Sequence, residues 1–511
     1  MKTSRKPGDK TTYGLDKNLG TVQELLTVFS KSSDFKTRPV HLSASQQIVA
    51  SFFNTLVDEE KLHHDLFRPL QQHEPKTQIK SVKDIVPLLP LDNIEITDHV
   101  ETIHRKLLQG CLILRMSDAD HTCAVVHIAS KLGLRKSNDT ENEFSVVGPK
   151  VGFIEDLDTN IHLLRLKINI PNLVVKEFMI GNISNSRVAI MYIDGVTNEQ
   201  VIQTVKQRIE DIDFEVVFDT SQLDQMLSDN SNSPFPLFLT TERRDRVVYA
   251  LVSGQIAVIS DGSPYFVTGP STLFDFFISP EDYYLPWVLG SFFRLIRIFG
   301  VVFSLFASSL YIATLTFHFE VVPHNLLGPL IYSRINVPFP PILEVLFLEL
   351  TIEFLREAGA RLPTKIGQTL GIVGGIIVGQ AAVEAALTSN ILIIVVSLSA
   401  LASFTTPIFK MSNTIRFLRF PIIILASIWG GLGILIGICF LLVHLTRLKS
   451  LGFPYTVPLF PFRLKDLKDS FIRPPYPVID VRPDYLRTKE KTRYTSNDKR
   501  KNKKKREWDE G

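Results

Sequence analysis

Residues 298–317 read IFGVVFSLFASSLYIATLTF, and residues 420–443 read FPIIILASIWGGLGILIGICFLLV. Neither stretch contains Asp, Glu, Lys or Arg, whereas a surface helix of a soluble protein carries a polar stripe. A helix advances about 1.5 Å per residue, so roughly 20 apolar residues cross a bilayer core about 30 Å thick. Four charge-free stretches predict membrane-spanning helices: Ile298–Phe317, Ile366–Val383, Ile391–Phe409 and Phe420–Val443.

Pairs of arginines stand before the first and the last of these stretches. Arg294 and Arg297 precede the first, and Arg416 and Arg419 precede the last. Long basic side chains at such positions can extend along the helix to the water at the membrane surface. We therefore expect all four arginines to lie at the membrane interface, with Trp287 as an aromatic neighbour.

A fifth apolar segment, Pro341–Leu355, differs from the other four because it is acidic. Four carboxylates lie in it or just after it: Glu344, Glu349, Glu353 and Glu357. An ionised carboxylate near the bilayer centre costs about 2.5 to 3.5 kcal/mol. We therefore expect these side chains to face protein, water or the interface and not lipid.

Two interpretations of this acidic segment remain open. Glu349, Glu353 and Glu357 share one side of a helix, so they could form an acidic stripe that lines a cation path in an oligomer. The alternative is a helix at the membrane interface, with Glu353 paired to Arg356 and Glu357 to Arg361.

Glycine recurs at every fourth residue in the second charge-free stretch. The four positions are Gly367, Gly371, Gly375 and Gly379. Residues four apart lie on one side of a helix, and glycine lets a second backbone come close. We expect this glycine ladder to be a helix-packing surface, either within one subunit or between subunits.

Two membrane topologies, with different numbers of crossings, fit the sequence. If both termini lie in the cytoplasm the number is even, which favours four spans and an acidic segment that does not cross. The loop charges, Arg361 and Lys365 and then Lys410, Arg416 and Arg419, fit the positive-inside rule only if the acidic segment also crosses. In that case the run at 420–443, which has glycines in its middle, must turn back.

Composition divides the 511-residue chain into several units. The formal net charge is +3 and the basic residues are scattered except near the end, so we expect no nucleic-acid binding. The sequence predicts an α+β membrane protein, in which a mixed α/β N-terminal cytoplasmic region of two subdomains precedes an α-helical transmembrane domain. The predicted divisions are a mobile polar arm at 1–37, subdomain 1 at 38–147, subdomain 2 at 148–285, the transmembrane domain at 286–445 and a basic cytoplasmic tail at 446–511.

Hydrophobic periodicity predicts the elements of the soluble region. Helices are expected at Asp98–Leu108, Glu155–Leu166 and Glu199–Ile212. Strands are expected at Cys111–Leu114, Cys123–Ile128, Leu173–Phe178, Arg187–Ile193, Phe214–Phe218, Val247–Val252, Gln255–Ser260 and Tyr265–Val267.

The soluble region lacks the common motifs of catalysis and of metal or cofactor binding. The chain contains no phosphate-binding loop, no G-x-S-x-G and no H-E-x-x-H, and its three cysteines have no zinc spacing. We expect no enzyme activity, no cofactor and no metal site. The basic run Lys499–Arg506 predicts attraction to anionic lipid, with a merely solvated tail as the alternative.

Between residues 148 and 482 the chain carries a series of short motifs, namely Gly148–Asp156, Glu242–Asp245, Ser279–Tyr284, Arg294–Arg297, Phe354–Pro363, Gly371–Gly375, Gly379–Val383, Gly452–Tyr455 and Arg473–Pro475. These motifs resemble those of the A subunits of spore germinant receptors, the GerA family of endospore-forming bacteria. Two positions depart from the family pattern, namely Arg244, where proline is usual, and Ala360, where isoleucine is usual. No motif of residues 1–147 carries the resemblance.

This resemblance implies a role and partners that composition does not. It implies a receptor in the spore inner membrane, built with a permease-like B subunit and a C lipoprotein. It also implies that A subunits form an oligomeric nutrient-gated cation channel, with sensing mainly in the B subunit. A secondary transporter is the alternative, although the apolar segments show no internal repeat.

Overall fold

A computed structural model of the chain contains two α/β units and a helical domain. It describes residues 21–43, 46–72, 79, 81–91, 94–117, 122–130, 143, 147–361, 375, 377–464, 466–476, 479 and 481–493.

The first unit is a five-stranded antiparallel sheet with strand order β1-β2-β4-β5-β3. Hydrophobic side chains cover both faces, so β4 and β5 in the interior of the sheet are buried along almost their whole length. A short π-helical turn, Leu62–Phe67, interrupts the helices beside the edge strand β1. The elements are α1 Val22–Phe29, β1 Phe35–Ser43, β2 Gln46–Phe53, α2 Glu59–Lys61, α3 Arg68–Gln72, β3 Glu95–Thr97, α4 Val100–Leu107, β4 Cys111–Arg115 and β5 Cys123–His127.

The second unit is another five-stranded antiparallel sheet, with strand order β6-β7-β9-β10-β8. Its helices begin at side-chain caps: Asp156 accepts a hydrogen bond from the Thr159 amide, and Asn198 from the Gln200 amide. The elements are α5 Leu157–Lys167, β6 Leu173–Ile180, β7 Ser186–Ile193, α6 Glu199–Glu210, α7 Thr220–Leu227, β8 Leu239–Thr241, α8 Arg244–Ser253, β9 Ile256–Ser260, β10 Phe266–Gly269 and α9 Glu281–Tyr284.

Two strand predictions in the second unit are wrong. Val247–Val252 is part of helix α8, where Val247, Ala250 and Leu251 are buried at helical spacing and Gly254 ends the helix with φ +101°. Phe214–Phe218 forms no strand, because its carbonyls accept hydrogen bonds from the turn at residues 182–184.

The predicted arm and tail are wrong in part. Residues 1–20 lie outside the described residues, but α1 buries Val22, Leu25 and Phe29, so the fold begins well before residue 38. Beyond the helical domain, a two-stranded ribbon, β11 Lys449–Ser450 and β12 Phe453–Pro454, starts a segment that packs on the second unit as far as Arg493. The basic run Lys499–Arg506 lies outside the described residues.

The helical domain follows the second unit. Its helices are α10 Trp287–Thr316, α11 His324–Arg334, α12 Pro341–Arg361, α13 Asn390–Ser403, α14 Phe409–Trp429 and α15 Gly431–Arg447, and residues 377–384 are also helical. Within the described residues, α10 and α14 are long and apolar enough to cross a membrane, while α13 and α15 are apolar but shorter.

The prediction that 420–443 forms one span is wrong, because the chain reverses at Gly430. That residue has φ +59° and ψ −134°, and it separates α14 from α15. A Cβ on Gly433 would meet the backbone of Leu425, so the two helices pack as a close hairpin. This is the turn that the second topology solution requires.

The helices of this domain have a near end at the second unit and a far end. At the near end, Lys410 of α14 binds Asp224 of α7 at 2.5 Å. At the far end, the Gly431 amide donates to His318. Helix α12 runs antiparallel to α10, because Glu344 lies near the far residue Tyr311 while Glu349 bonds Ser308.

Candidate functional site

A buried ion pair lies inside the helical domain. Glu349 of α12 binds Arg419 of α14, and both side chains are almost completely buried. Two serines of α10 complete the network, with Ser308 donating to Glu349 at 2.6 Å and Arg419 donating to Ser304 at 2.7 Å. A buried charge requires such partners, because an unpaired charge is far more costly than an unpaired dipole. Three helices therefore meet at one charged network, Glu349–Arg419–Ser304–Ser308.

A second ion pair lies toward the far end. Arg334 of α11 binds Glu344 of α12 at 2.7 Å, and the other carboxylate oxygen of Glu344 accepts from the Ser389 amide at 3.3 Å. The hydroxyls of Ser389 and Tyr311 lie 3.0 Å apart. Glu344 is buried, so this pair fixes the start of α12 against α10 and α13.

The remaining carboxylates of the predicted stripe are paired on α12 itself. Glu353 binds Arg356, and Glu357 binds Arg361 at 2.6 Å. Exposure rises along the helix, from the buried Glu349 through Glu353 to Glu357, whose side chain is 64% exposed. The structure thus contains the local pairs of the alternative interpretation. A role of these four acids in a pore stays a prediction.

The two glycines of the ladder that the structure describes face open space. A Cβ on Gly375 or Gly379 would meet no atom within 4 Å. Gly367 and Gly371 lie outside the described residues. The described part of the ladder therefore packs against none of the residues that the structure describes, and its role as a helix contact stays a prediction.

The joint between the second unit and α10 is a cluster of charged groups that we call the neck. Asp282, which is buried, accepts from Arg294 at 3.2 Å and from Arg297 at 3.0 Å. Arg294 also binds Asp469 of the C-terminal segment at 3.0 Å. Both arginines were expected to extend to the membrane surface, but Arg294 is completely buried because two carboxylates hold it. The expectation is also wrong for Arg419, which Glu349 holds in the helical domain.

Tyrosines surround Asp469 in the neck. Tyr283 donates to its carboxylate at 2.8 Å and Tyr249 at 3.3 Å. Burial and the nearby Asp469 charge raise the pKa of Tyr283 well above its usual value, so the phenol keeps its proton and remains a donor. Arg473 donates to the Leu285 carbonyl at 3.0 Å. The neck therefore joins the second unit, the first helix and the C-terminal segment in one hydrogen-bonded network.

Among the residues that the structure describes, no cluster of His, Cys, Asp or Glu could hold a metal ion. The charged groups of the neck and the helical domain bind one another, and what they offer is electrostatic positioning of helices.

Comparison with known proteins identifies the family. The family model described as Bacillus/Clostridium GerA spore germination protein matches residues 23–485. The chain belongs to the GerA family of spore germination proteins. The match extends the resemblance forward from residue 148 over nearly all of the first unit.

Relatives of similar length support this membership. Spore germination protein GerQA of Bacillus cereus is 45% identical over 488 residues, which cover 96% of this chain and 97% of that protein. Spore germination protein A1 of Bacillus subtilis is 40% identical over 426 residues, or 83% and 87% of the two chains.

Among solved structures, the chain matches a crystal structure of the N-terminal domain of the A subunit of the Bacillus megaterium spore germinant receptor GerK3. The match covers 49% of this chain and 93% of that one, with 23% identity and a TM-score of 0.37.

Several GerA motifs meet in space at the neck. Asp245, Asp282, Arg294 and Arg473 come from four separate motifs, and Tyr284 links two of them by donating to Asp245 at 2.8 Å. Sequence reasoning missed Asp469, which lies in no motif, and the partners of Arg294 and Arg419. The available signal was the pair of arginines before the first and before the last apolar run. Their partners, however, are up to 175 residues away in sequence.

Proposed function

We propose that this chain is a subunit of a nutrient germinant receptor in the spore inner membrane, and that its copies assemble into a nutrient-gated cation channel. Membership of the GerA family supports the receptor role. The observation that carries the channel proposal is the buried network of Glu349, Arg419, Ser304 and Ser308 between apolar helices. Ionisable groups inside an apolar helical domain mark ion or proton pathways by default.

Membrane placement of the helical domain explains its surface. Large side chains such as Phe299, Ile394, Phe417 and Phe440 are more than half exposed, which suits lipid and not water. Helix α10 is 30 residues long, or about 45 Å at 1.5 Å per residue, and exceeds the hydrocarbon core.

The same placement gives an even number of crossings. Helix α10 leaves the second unit at Trp287, and α15 returns to it at Arg447, where Ser450 donates to the Leu237 carbonyl at 2.7 Å. Lys410 also lies at this near end. Basic residues next to membrane helices favour the cytoplasm, so the two α/β units and the C-terminal segment are cytoplasmic.

The acids of α12 supply a cation preference to the proposed channel. Carboxylates repeated around a symmetric oligomer attract cations and exclude anions. The arginine partners hold these acids in the conformation described, so conduction requires α12 to move relative to α14 or to present Glu353 and Glu357 to the path. A permease-like B subunit and a C lipoprotein are the proposed partners that supply the nutrient signal.

Reconstitution separates this proposal from the alternative, a secondary transporter. The chain and its partner subunits are placed in vesicles loaded with potassium, and nutrient is added outside. A channel releases potassium without accumulating nutrient. Nutrient uptake coupled to ion movement would favour the transporter. The absence of both potassium release and nutrient uptake would reject the channel and the transporter alike.

A further inference from the structure

A loop in the C-terminal segment holds large apolar side chains outward. Leu459, Phe460, Phe462 and Leu464 are between 49% and 68% exposed. Four such side chains within six residues form an exposed apolar patch, which soluble surfaces rarely leave uncovered.

The loop has a defined structure. The amides of Leu459 and Phe460 donate to the Thr456 carbonyl, and the Thr456 hydroxyl donates to the Phe460 carbonyl at 2.9 Å. The Arg463 amide donates to the Pro458 carbonyl at 3.0 Å. The apolar side chains therefore point outward because the folded loop directs them there.

The loop lies on the side of the second unit that meets the helical domain. Tyr455, just before it, is fully buried against Phe235, whose ring lies 5.9 Å from His444 in the last turn of α15. The core around Tyr455 also contains Ile408 and Met411 from the start of α14. The loop thus follows α15 at the level where the helices leave the second unit.

The chemistry of the loop fits a lipid surface. Phenylalanine and leucine side chains enter the boundary between headgroups and acyl chains, and neighbouring basic residues bind anionic headgroups. Arg463, Lys465 and Lys468 supply those charges in the sequence. A contact with a second copy would not require basic residues next to the patch in the sequence.

We propose that residues 458–464 form a wedge that inserts into the cytoplasmic leaflet beside α15 and sets the depth of the cytoplasmic units. This wedge rests on the proposed membrane placement of the helical domain. It differs from the basic run at 499–506, because apolar insertion and not a diffuse surface charge holds it.

Spin labels on the full-length protein test the wedge. The exposed Cys439 is replaced by Ala, the buried Cys111 and Cys123 are kept, and one cysteine is introduced per variant. The test variant is Phe460→Cys, and the protein is placed in vesicles of phosphatidylcholine and phosphatidylglycerol. Collision rates with oxygen, which concentrates in lipid, and with a nickel chelate, which stays in water, are measured.

Two control positions of similar exposure bracket the result. Ile183→Cys lies on the second unit at 68% exposure, and Ile394→Cys lies on α13 at 58%, close to the 60% of Phe460. We expect the oxygen-to-nickel ratio at residue 460 to be severalfold above that at 183 and to approach that at 394.

Each other outcome overturns the wedge or its basis. A ratio at 460 equal to that at 183 would place the loop in water. Spin–spin broadening at 460 with low access to both reagents would place it against a second copy. A low ratio at 394 would instead reject the membrane placement itself.

Discussion

At the scale of single residues, several buried charges in this protein occur in matched pairs. Asp34 of the first unit binds Arg165 of α5 at 2.5 Å, and Arg165 also donates to Ser32. Burial alone would raise the pKa of Asp34, but the Arg165 charge and hydrogen bonds hold it below its ordinary 3.8. The pair therefore stabilises the fold at neutral pH, and this contribution is lost as the pH falls below about 4.

The Asp34–Arg165 pair joins the two α/β units, so breaking it should open the first unit. Arg165→Met leaves Asp34 buried without its partner, which costs about 3 to 5 kcal/mol. We expect alkylation of the buried Cys111 and Cys123 to accelerate by about 100-fold or more, because 1.4 kcal/mol corresponds to a factor of ten.

Arg187→Met provides the control for that measurement. Arg187 pairs with Asp158 and Glu177 on the surface of the second unit and is about one-third exposed. Exposed pairs contribute at most about 1 kcal/mol, so alkylation should change little. Equal rates in the two variants would show that the buried pair does not hold the units together.

At the scale of elements, the reversal at Gly430 decides how the helices are arranged. Its φ and ψ lie in a region that only glycine adopts readily, and a Cβ would meet the Phe317 ring at 2.8 Å. We expect Gly430→Ala to destabilise the helical domain by about 1 to 3 kcal/mol, and therefore to lower the abundance of the receptor in spore membranes.

Gly437→Ala is the matched control, because a Cβ there would meet Ile422 and Leu425 only at 3.4 Å and beyond. This variant should retain normal abundance. A stable Gly430→Ala protein, with abundance equal to that of Gly437→Ala, would contradict the hairpin.

The glycine ladder gives a second prediction at this scale. A Cβ at Gly375 would meet no described atom within 4 Å, so Gly375→Leu should fold normally and yet lose the contact with another helix. We expect a smaller fraction of the protein in the receptor complex, measured by co-purification from spore membranes.

Gly359→Leu is its control, since that helical glycine is equally open and lies outside the ladder. Normal complex formation by Gly375→Leu, and by Gly371→Leu, would refute the ladder as a contact surface.

Much of the element pattern could be predicted from the sequence, but two segments show its limit. The run at 247–252 is apolar throughout, so its periodicity cannot distinguish a strand from a buried helix. The run at 420–443 has the length of one span, and only the backbone of Gly430 reveals that one helix ends there and a second begins. The predicted strand Arg187–Ile193 agrees with the observed strand Ser186–Ile193 within one residue. Alternating hydrophobicity and the flanking turn residues define its ends in the sequence.

At the scale of the whole molecule, the neck connects the α/β units to the helices. Asp282 fixes the start of α10, and Asp469 ties the C-terminal segment to the same arginine. A displacement of the second unit is therefore transmitted to the first helix of the proposed channel. The sequence could not predict this joint, because its members are distant in the chain and meet only when both ends of the helical domain return to one unit.

We propose that the acids of α12 serve cation flow, and neutral substitutions separate that role from a structural one. Glu349→Gln alone leaves Arg419 buried and unpaired, so the informative variant is Glu349→Gln with Arg419→Gln, which removes both charges together. Glu353→Gln needs no partner change, because Arg356 is partly exposed. Glu199→Gln, on the exposed surface of the second unit, is the control.

Potassium efflux from spores after nutrient addition, normalised to receptor abundance, is the most direct test. We predict reduced efflux at normal abundance for Glu353→Gln and for the Glu349→Gln/Arg419→Gln pair, with Glu199→Gln unchanged, because the carboxylates attract the cation. Efflux equal to that of the control in both variants would contradict a cation path along α12 and leave its acids as structural ion pairs.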